Sequence, residues 1–374
     1  MNNNKIWLSS PHMGGTEQKY VQEAFDTNWI SPLGPNVSGF EKDIEKYLTN
    51  DVHVAALSAG TAAIHLALII LGIKKDDKVL CQSMTFVASA NPIAYLGAKP
   101  IFIDSEYDTW NMDPKLLEKA IKDGIKNNKK PKAIILVHLY GMPAKMDEIT
   151  RISKKYDIPI IEDAAEALGS KYKDKKCGSF GEFGILSFNG NKIITTSGGG
   201  ALVCRSKKNK QNAIFLSTQA RDQAPHYQHT KIGYNYRMSN IVAGIGRGQM
   251  EVLDTRVSQR RWNNSFYKKE LASIATISFI KENDDFFSNH WLTAILTDSF
   301  DTREKIRLAL AEENIEARPL WKPMHLQPVF NDCKAYTNGV SEDLFQKGLC
   351  LPSGSNLEET DLQRIVSAIK KCFV

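Results

Sequence analysis

One short apolar run in this chain ends in acids: Ile160-Ile161-Glu162-Asp163-Ala164-Ala165-Glu166. Buried strands of a parallel sheet read as such runs, and the first polar group stands at the carboxyl end of the strand. A second run, Ser187-Phe188-Asn189-Gly190-Asn191-Lys192, leads into a turn rich in Ser and Gly, and its lysine follows Asp163 by 29 residues (192 − 163). Pyridoxal phosphate (PLP) needs an acid for its pyridinium nitrogen and a lysine amine for its aldehyde. The spacing therefore predicts a PLP site with Lys192 and Asp163 as catalytic residues.

Apolar runs of this kind alternate along the chain with segments whose apolar residues recur at three- and four-residue steps. The runs predict strands and the stepped segments predict helices, which is the pattern of an α/β protein whose parallel sheet is covered on both faces. The predicted strands are 79–81, 100–104, 133–137 and 158–162, and the predicted helices are 17–25, 37–48, 62–71, 114–122 and 146–156. Two further strands, 184–188 and 200–205, form an antiparallel pair around Lys192.

The C-terminal third has a different pattern. One long helix is predicted over residues 239–271, followed by strands at 277–280 and 291–297 and helices at 302–313 and 358–372, which suggests a small α+β domain. A chain of 374 residues is long enough for two cores. We therefore predict a large PLP-binding domain, residues 1–245, and a smaller C-terminal domain, residues 246–374, that includes the long linking helix.

Composition narrows the class of protein. The net charge is +6, and no block of five like charges occurs, so we expect no nucleic-acid partner. No apolar stretch approaches the roughly 20 residues that span a bilayer, and the first residues lack the apolar centre of a secretion signal, so we expect no membrane partner and a cytoplasmic location. Six scattered cysteines predict free thiols. His226 and His229 have a metal-like spacing but no Cys or carboxylate partner, so we expect no metal.

A phosphate site is predicted where the run Ala56-Leu57-Ser58-Ala59-Gly60-Thr61-Ala62-Ala63 leads into a helix. The amides of Gly60, Thr61 and Ala62 would point outward at the helix start, where anions bind. One exposed terminus contributes only about 0.3–1 kcal/mol, so side-chain donors such as Ser187 and Asn235 are needed as well. The alternative for this stretch is an ordinary helix N-cap.

Together these motifs resemble a known family. Their full set is Ser58-Ala59-Gly60-Thr61-Ala62, Phe86, Glu162-Asp163-Ala164-Ala165-Glu166, Ser187-Phe188 with Lys192, Gly233-Tyr234-Asn235-Tyr236-Arg237 and Arg318-Pro319. This set is similar to the nucleotide-sugar aminotransferases of the DegT/DnrJ/EryC1/StrS type. The resemblance runs from Pro11 to Gly354. It implies an α/β fold of PLP fold type I, with an aspartate-aminotransferase-like large domain and a smaller α+β domain.

The resemblance also implies roles for single residues. Lys192 would bind the cofactor and, once displaced by the amino donor, move the proton, for which its amine must be neutral. Asp163 would keep the ring nitrogen protonated. Phe86 would stack on the ring, although a buried Phe is more often part of a core. The phosphate would be held by Gly60, Thr61, Ala62 and Ser187, and by Asn235 of the neighbouring subunit in a homodimer with shared active sites.

Glu166 departs from the family pattern, because many relatives carry Gln or His beside the phenolic oxygen of the cofactor. Two negative oxygens repel unless one holds a proton, so Glu166 is expected to share a proton with that oxygen or to turn toward the sugar.

A more specific likeness lies in Ser197-Gly198-Gly199-Gly200 and in the segment 318–325, which most resemble the bacillosamine-pathway branch. That branch implies transfer of an amino group from L-glutamate to C4 of a UDP-2-acetamido-4-keto-2,6-dideoxyhexose, for glycan or surface-polysaccharide synthesis. The alternative is another nucleotide-linked keto sugar: a GDP- or dTDP-linked 4-keto-6-deoxyhexose, or a 3-keto sugar.

A nucleotide sugar needs cations for its diphosphate and a flat surface for its base. Arg237, Arg318 and His325 are the predicted cations, with Lys322 beside them, and Trp321 is the predicted flat face. The alternative for each cation is solvated surface charge, and it has more weight for Lys322 than for Arg318. Trp29 and Ser31, in a loop bounded by Gly and Pro, are predicted to touch the sugar, with an ordinary turn as the alternative.

Three other classes of protein compete with this reading. A nicotinamide dehydrogenase would need a Gly-x-Gly-x-x-Gly turn after the first strand, and the chain has none there. A dehydratase of the same fold carries His in place of the lysine, so Lys192 argues against it. A sensor without turnover would keep the cofactor residues but lose catalytic ones, and none looks lost.

Overall fold

The computed structural model describes residues 4–49 and 51–373. Its helices are α1 (Glu17–Asp26), α2 (Pro35–Leu48), α3 (Gly60–Ile70), α4 (Asn91–Tyr95), α5 (Pro114–Lys126), α6 (Met146–Tyr156), α7 (Lys207–Ser217), α8 (Asn240–Glu251), α9 (Leu253–Glu270), α10 (Phe300–Glu312), α11 (Val340–Lys347) and α12 (Glu359–Lys370). Its strands are β1 (His53–Leu57), β2 (Lys78–Gln82), β3 (Lys99–Ile103), β4 (Ala133–Val137), β5 (Ile160–Asp163), β6 (Lys171–Tyr172), β7 (Lys175–Lys176), β8 (Phe183–Ser187), β9 (Gly200–Cys204), β10 (Ser278–Phe279), β11 (Phe286–Phe287), β12 (Thr293–Leu296), β13 (Arg318–Pro319), β14 (Ala335–Tyr336) and β15 (Gly348–Leu351).

An eight-stranded sheet forms the centre of the molecule, in the order β1-β9-β8-β5-β4-β2-β3-β14. All neighbours from β8 to β14 run parallel, whereas β9 is antiparallel to both β1 and β8. Successive residues of a strand face opposite sides, so Ile134 and Leu136 pack with α5 and α6 while Ile135 packs with α3 on the other face. The sheet is therefore buried on both faces, and the predicted α/β fold class is confirmed.

The predicted strands and helices of the first two thirds all occur, with ends within three residues of the predicted ones except at the C-terminus of α5. The antiparallel pair around Lys192 is β8 and β9, whose register joins Ser187 to Gly200. This pairing places the two ends of the lysine loop, residues 188–199, side by side at the carboxyl end of β8.

The single long helix predicted over residues 239–271 is wrong, because the chain forms two helices with a break at Val252. Helix α8 packs against α1 and α2, while α9 packs against α12. Close approach explains the first contact, since a Cβ added to Gly248 would lie 2.7 Å from the backbone nitrogen of Glu17. The break lets the two halves follow different partners.

A second, four-stranded antiparallel sheet has the order β10-β12-β15-β13 and shares a core with α9, α10 and α12. Each end of the chain contributes a segment to the part of the molecule that the other end mainly forms. Strand β14 belongs to the large sheet, and Ile6 pairs with Ile315 beside the small one. The division of the chain at residue 245 stays a prediction.

Among the described residues, no helix has both the length and the apolar character needed to cross a bilayer. The cytoplasmic location stays a prediction from the sequence.

Candidate active site

A cavity of about 590 Å³ opens at the carboxyl ends of β5 and β8, next to the start of α3. Ligands of open α/β sheets bind at this edge. The cavity brings together most of the residues predicted from the sequence, which are Gly60, Thr61, Phe86, Asp163, Glu166, Ser187, Lys192, Arg318 and Trp321.

Lys192 reaches into the cavity with only 10% of its side chain exposed. Its Nζ lies 3.8 Å from Glu166 Oε1 and 4.0 Å from the ring centroid of Trp291. Burial lowers the pKa of Lys192, and the carboxylates of Glu166 and Asp163 act in the opposite direction without cancelling it. The site therefore favours a neutral amine more than water does, and a neutral amine can act as a nucleophile or a base.

Asp163 ends β5 and is buried. Its Oδ2 accepts a hydrogen bond of 2.7 Å from Ser89 Oγ, and its Oδ1 accepts one of 3.1 Å from the amide of Ala165. Burial raises the pKa of Asp163, although these two hydrogen bonds and the charge of Lys192 oppose the shift. A cationic ring nitrogen placed against this carboxyl would favour its ionised form.

Below Asp163, His138, Glu162 and Cys177 have possible metal-ligand atoms within 4.8 Å of one another. The two ring nitrogens of His138 are already engaged: Nδ1 accepts from the amide of Ala144, so Nε2 donates to Glu162 Oε1 at 2.8 Å. Glu162 also accepts from the amides of residues 178, 180 and 181. These bonds fix the strand end that carries Asp163, and the expectation of no metal stays a prediction.

Glu166 is turned toward the backbone of the segment after β4. Its Oε2 accepts a hydrogen bond of 2.6 Å from the amide of Tyr140, and its side chain is 4% exposed. Burial raises the pKa of Glu166 to about 7, against the charge of Lys192. Tyr140 itself has a φ of +54°, which non-glycine residues seldom adopt. The strained backbone of Tyr140 therefore supplies the amide that positions Glu166.

The start of α3 presents free amides to the cavity. Ala59 is the N-cap residue, and no side chain caps the helix. Gly60 and Thr61 line the cavity, and a Cβ added to Gly60 would lie 3.3 Å from Ser187 Cβ. Unsatisfied amides at a helix start, with a serine hydroxyl beside them, form a cradle for a phosphate. Ser187 lies beside this helix start, and its contact with a phosphate stays a prediction.

Aromatic rings and one ion pair form the outer wall. The ring of Phe86, 55% exposed, lies 5.6 Å from that of Trp321. Arg318 is 70% exposed, and its Nη2 lies 2.6 Å from Glu316 Oε1. The other oxygen of Glu316 accepts from the amide of Leu8 at 3.0 Å. Glu316, which sequence reasoning missed, therefore fixes the rim position of Arg318.

Two predicted substrate cations, Arg237 and His325, are not among the residues that line the cavity of their own chain, and their substrate roles stay predictions. The guanidinium of Arg237 pairs with Glu41 at 2.5 Å and donates to the carbonyl of Ala56 at 2.9 Å. The Nδ1 of His325 lies 2.6 Å from Ser83 Oγ. Both side chains hold neighbouring segments of this chain together.

The other predicted residues outside the cavity are Ala62, Trp29, Ser31 and Asn235. Ala62 is buried in α3, so only its backbone amide could contribute to the helix start. Trp29 is 44% exposed, and the hydroxyl of Ser31 donates to the carbonyl of Leu33. Asn235 is exposed and pairs through its backbone with Thr218. None of these four residues is among the described residues that line the cavity of their own chain, and their roles stay predictions.

The arrangement of a buried lysine, a strand-end aspartate and an anion cradle agrees with a comparison of sequences. The model of the DegT/DnrJ/EryC1/StrS aminotransferase family matches residues 11–370. The chain belongs to this family.

Three relatives in the aminotransferase family cover most of the chain. EpsN of Bacillus subtilis (strain 168), assigned as a pyridoxal phosphate-dependent aminotransferase, is 52% identical over 99% of this chain and 96% of its own. The GDP-perosamine synthase of Escherichia coli O157:H7 is 39% identical over 98% of each chain. The UDP-4-amino-4,6-dideoxy-N-acetyl-beta-L-altrosamine transaminase of Campylobacter jejuni is 36% identical over 78% of this chain and 77% of its own.

Solved structures share the fold over nearly the whole length. A DegT DnrJ EryC1 StrS aminotransferase from Brucella abortus superposes with a TM-score of 0.89, at 28% identity and 95% coverage of each chain. The PLP form of a protein assigned as a sugar aminotransferase, from Streptococcus pneumoniae, gives a TM-score of 0.90 at 26% identity, covering 99% of this chain and 98% of its own. This protein is a sugar aminotransferase, and PLP is its cofactor.

The residues of the aminotransferase cavity fit PLP. The free amides at the start of α3 and Ser187 suit its phosphate, Asp163 suits its ring nitrogen, and Lys192 suits its aldehyde. Phe86 has an exposed ring face at the same cavity. These residue roles are proposals that the substitutions below test.

Several contacts were beyond sequence reasoning. Ser89, Tyr140 and Trp291 are the clearest cases, because each touches Asp163, Glu166 or Lys192 from a distant part of the chain. For Trp291, the residue type alone gives a weak indication of its role, since an indole ring is a good partner for a cation. Nothing in the sequence shows which cation it meets.

We expect Glu166→Gln to lower the pH midpoint at which the apo-enzyme takes up PLP. The amide oxygen can still accept from Tyr140, but the substitution removes one of the two carboxylates that raise the pKa of Lys192. Uptake, followed by the absorbance of the lysine-linked cofactor across pH, measures the change. Glu182→Gln, outside the cavity, is the control, and a midpoint that stays fixed or rises would contradict the proposed role of Glu166.

Proposed function

We propose that this aminotransferase transfers an amino group from L-glutamate to C4 of a UDP-linked 2-acetamido-4-keto-2,6-dideoxyhexose, giving a UDP-4-amino sugar for glycan or surface-polysaccharide synthesis. The observation that carries the transferase chemistry is the convergence of Lys192, Asp163 and Glu166 at the edge of the sheet where α3 begins. When bound, PLP withdraws electrons from the carbon that bears the amine.

The chain's own residues handle the protons. In this proposal the neutral Nζ of Lys192 accepts a proton from the substrate carbon that bears the amine and would deliver it to C4′ of the cofactor, so no net proton is gained or lost. Burial, which lowers the pKa of Lys192, supports this role. Asp163 keeps the proton on the ring nitrogen, and Ser89 keeps the carboxyl of Asp163 in place.

The outer wall supports a nucleotide sugar as the acceptor. Within the described residues that line the cavity, the cations are Lys192 and Arg318. Lys192 is needed for the chemistry, so Arg318 is the group we assign to the diphosphate, since a guanidinium can bind two phosphate oxygens at once. Trp321 lines the same cavity and offers a flat apolar face to a base or a sugar.

The relatives support two nucleotides. The name of the Campylobacter enzyme describes a UDP-linked, N-acetylated sugar with an amino group at C4, which matches the proposed product. The GDP-perosamine synthase is more similar and is matched over more of this chain, so a GDP-linked keto sugar is the second candidate.

Offering UDP-, GDP- and dTDP-linked 4-keto-6-deoxy sugars, with glutamate as donor, decides between them. We expect the UDP-linked 2-acetamido sugar to give the highest kcat/KM, and a mass and NMR analysis of the product to place the new amine at C4. A higher kcat/KM for the GDP sugar would contradict the UDP assignment and identify the GDP-linked keto sugar as the substrate. If glutamate does not convert the bound cofactor to its pyridoxamine form, the aminotransferase chemistry itself fails.

We also propose that the enzyme is a homodimer with shared active sites. Four large apolar side chains close together in the chain are exposed, namely Phe25, Trp29, Ile30 and Leu33, and Ile232 is exposed as well. Such residues often belong to an interface when they gather on one surface. Asn235 lies three residues after Ile232 in the chain and is not among the residues that line its own cavity. In the proposed dimer the partner's copy of this asparagine completes the phosphate site, and the loop with Trp29 and Ser31 faces the partner's sugar.

A mixture of two inactive variants tests the shared site. We expect Asn235→Asp, which places a carboxylate near the phosphate, and Lys192→Ala to be inactive alone. After joint refolding, half of the dimers would be hybrids with one intact site, so about a quarter of wild-type activity should return. Light scattering gives the oligomeric state, and failure of the mixture to regain activity would contradict a shared site.

A further inference from the structure

Trp291 is a buried residue just before β12. Its ring lies under the lysine, with Nζ of Lys192 at 4.0 Å from the ring centroid. Its indole N–H donates a hydrogen bond of 2.6 Å to the carbonyl of Asn191, the residue before Lys192. One side chain therefore contacts both the amine and the backbone of the cofactor lysine.

Trp291 is itself fixed by two neighbours. Its carbonyl accepts a hydrogen bond of 2.5 Å from Arg260, whose guanidinium also reaches Ser9 at 3.0 Å and the carbonyl of Lys192 at 3.5 Å. Its amide donates to Asn289 at 2.8 Å. Asn289 in turn donates to the carbonyls of Glu166 and Leu168, at 2.9 Å each. The indole thus joins the loop that carries Lys192 to the turn that carries Glu166.

The backbone before Trp291 is strained. His290 has a φ of +47°, and both this residue and Asn289 are buried. Such a conformation costs about 1–3 kcal/mol unless the surroundings enforce it. The hydrogen bonds of Asn289 and the contact between His290 and Glu282, 3.3 Å, supply that enforcement. The strained residue His290 thus lies directly before the residue whose indole contacts Lys192.

We propose that Trp291 is a positioning residue for Lys192, which holds the amine on its ring face beside Glu166 and fixes the lysine loop through its N–H. This inference rests on the proposed function, because it takes Lys192 as the cofactor lysine. An aromatic face favours the ammonium form of an amine that lies on it. Trp291 therefore stabilises Lys192 while that residue carries the proton, and the carboxylates of Glu166 and Asp163 act in the same direction.

Two substitutions separate the ring from the N–H. Trp291→Phe keeps an aromatic face but cannot donate, whereas Trp291→Met fills similar space with neither. The rate constant for PLP uptake by each apo-enzyme is measured across pH, and its midpoint reports the protonation of the Lys192 amine. The protonation of PLP itself is the same for all variants, so it cancels when their midpoints are compared. We expect the midpoint of Trp291→Phe to lie above that of Trp291→Met by about half a unit or more, the size of a desolvated cation–π contact.

The lost N–H should appear separately. In Trp291→Phe the carbonyl of Asn191 keeps Ser9 as its side-chain donor but loses the indole N–H. The rate constant for PLP uptake at its high-pH plateau should therefore fall about two- to tenfold, the effect of one hydrogen bond. Trp262→Met is the control, because this tryptophan is 46% exposed on α9 and is not among the residues that line the cavity. Its midpoint should equal that of the wild type. Equal midpoints for the Phe and Met variants, or a reversed order, would overturn the inference.

A second measurement stands even if Trp291→Met does not fold. The fluorescence of wild-type apo-enzyme minus that of Trp291→Phe isolates the indole, and it should titrate with the PLP-uptake midpoint. In a Lys192→Ala background, the same difference in fluorescence should not change with pH. Repeating the measurement in a Glu166→Gln background shows how much of the pH dependence comes from that carboxyl. A difference without titration would also overturn the inference. Uptake of PLP into a lysine-linked form by Lys192→Ala would instead refute the cofactor lysine, and with it the proposed function.

Discussion

Lys192→Ala is expected to abolish amino transfer and leave the fold unchanged. The loop keeps its place without the side chain, because its contacts run through the carbonyls of Asn191 and Lys192 to Ser9, Trp291 and Arg260. The variant loses both the covalent partner of PLP and the proton carrier, so turnover should fall by at least about 10³-fold. Glutamate added to the variant should leave the absorbance of the cofactor unchanged.

A surface lysine provides the matched control. Lys207→Ala, at the exposed start of α7, should retain wild-type turnover and melting temperature. A small alkylamine added to Lys192→Ala should restore part of the rate, since it can enter the space left by the side chain and carry the proton. Retained turnover in Lys192→Ala without added amine would show that another lysine serves the cofactor.

Asp163→Asn is expected to slow the glutamate half-reaction by about 10²- to 10³-fold, the usual effect of losing one preorganised electrostatic partner. The substitution preserves shape and can still accept from Ser89, but it removes the charge that keeps the ring nitrogen protonated. Rapid mixing with glutamate, followed by absorbance, measures the rate. PLP should still bind, because Lys192 is unchanged.

Ser89→Ala distinguishes the charge from its support. Loss of the Ser89 hydroxyl removes a hydrogen bond that lowers the pKa of Asp163, so the carboxyl would be ionised over a narrower range of pH. We expect a smaller loss than for Asp163→Asn, and one that grows as the pH falls. A glutamate rate in Asp163→Asn within twofold of the wild type would contradict the proposed role of Asp163.

The sequence predicts the central fold well, because strands buried on both faces must be apolar along their length. Strand β1 escaped prediction: His53-Val54-Ala55-Ala56-Leu57 is rich in alanine, which favours helices over strands. Strand β14 has two residues and exists only through its pairing with β3. The break at Val252 has no local signal such as Gly or Pro, because its cause lies in the different partners of α8 and α9.

The predictions for the site divide in the same way. Local motifs identify Gly60, Asp163 and Lys192, since a helix start, a strand end and a turn are visible in a short window. The ion pair of Arg237 with Glu41 could not be predicted, because the two residues stand 196 positions apart in the chain. The positions of Glu166 and Trp291 likewise depend on distant contacts, to Tyr140 and to the lysine loop.

The attachment of the lysine loop has a consequence for the order of folding. The carbonyl of Asn191 is held by Ser9, 182 residues away, and by Trp291, 100 residues away. Contacts between residues far apart in the chain form late, because the chain loses the entropy of loop closure before the stabilising contact is made. During synthesis the loop is made long before Trp291, so most strands of the parallel sheet can assemble while Lys192 is still unplaced. Capture of PLP should therefore belong to the last stage of folding, and a chain interrupted before residue 291 should have most of the large sheet and no functional cofactor site.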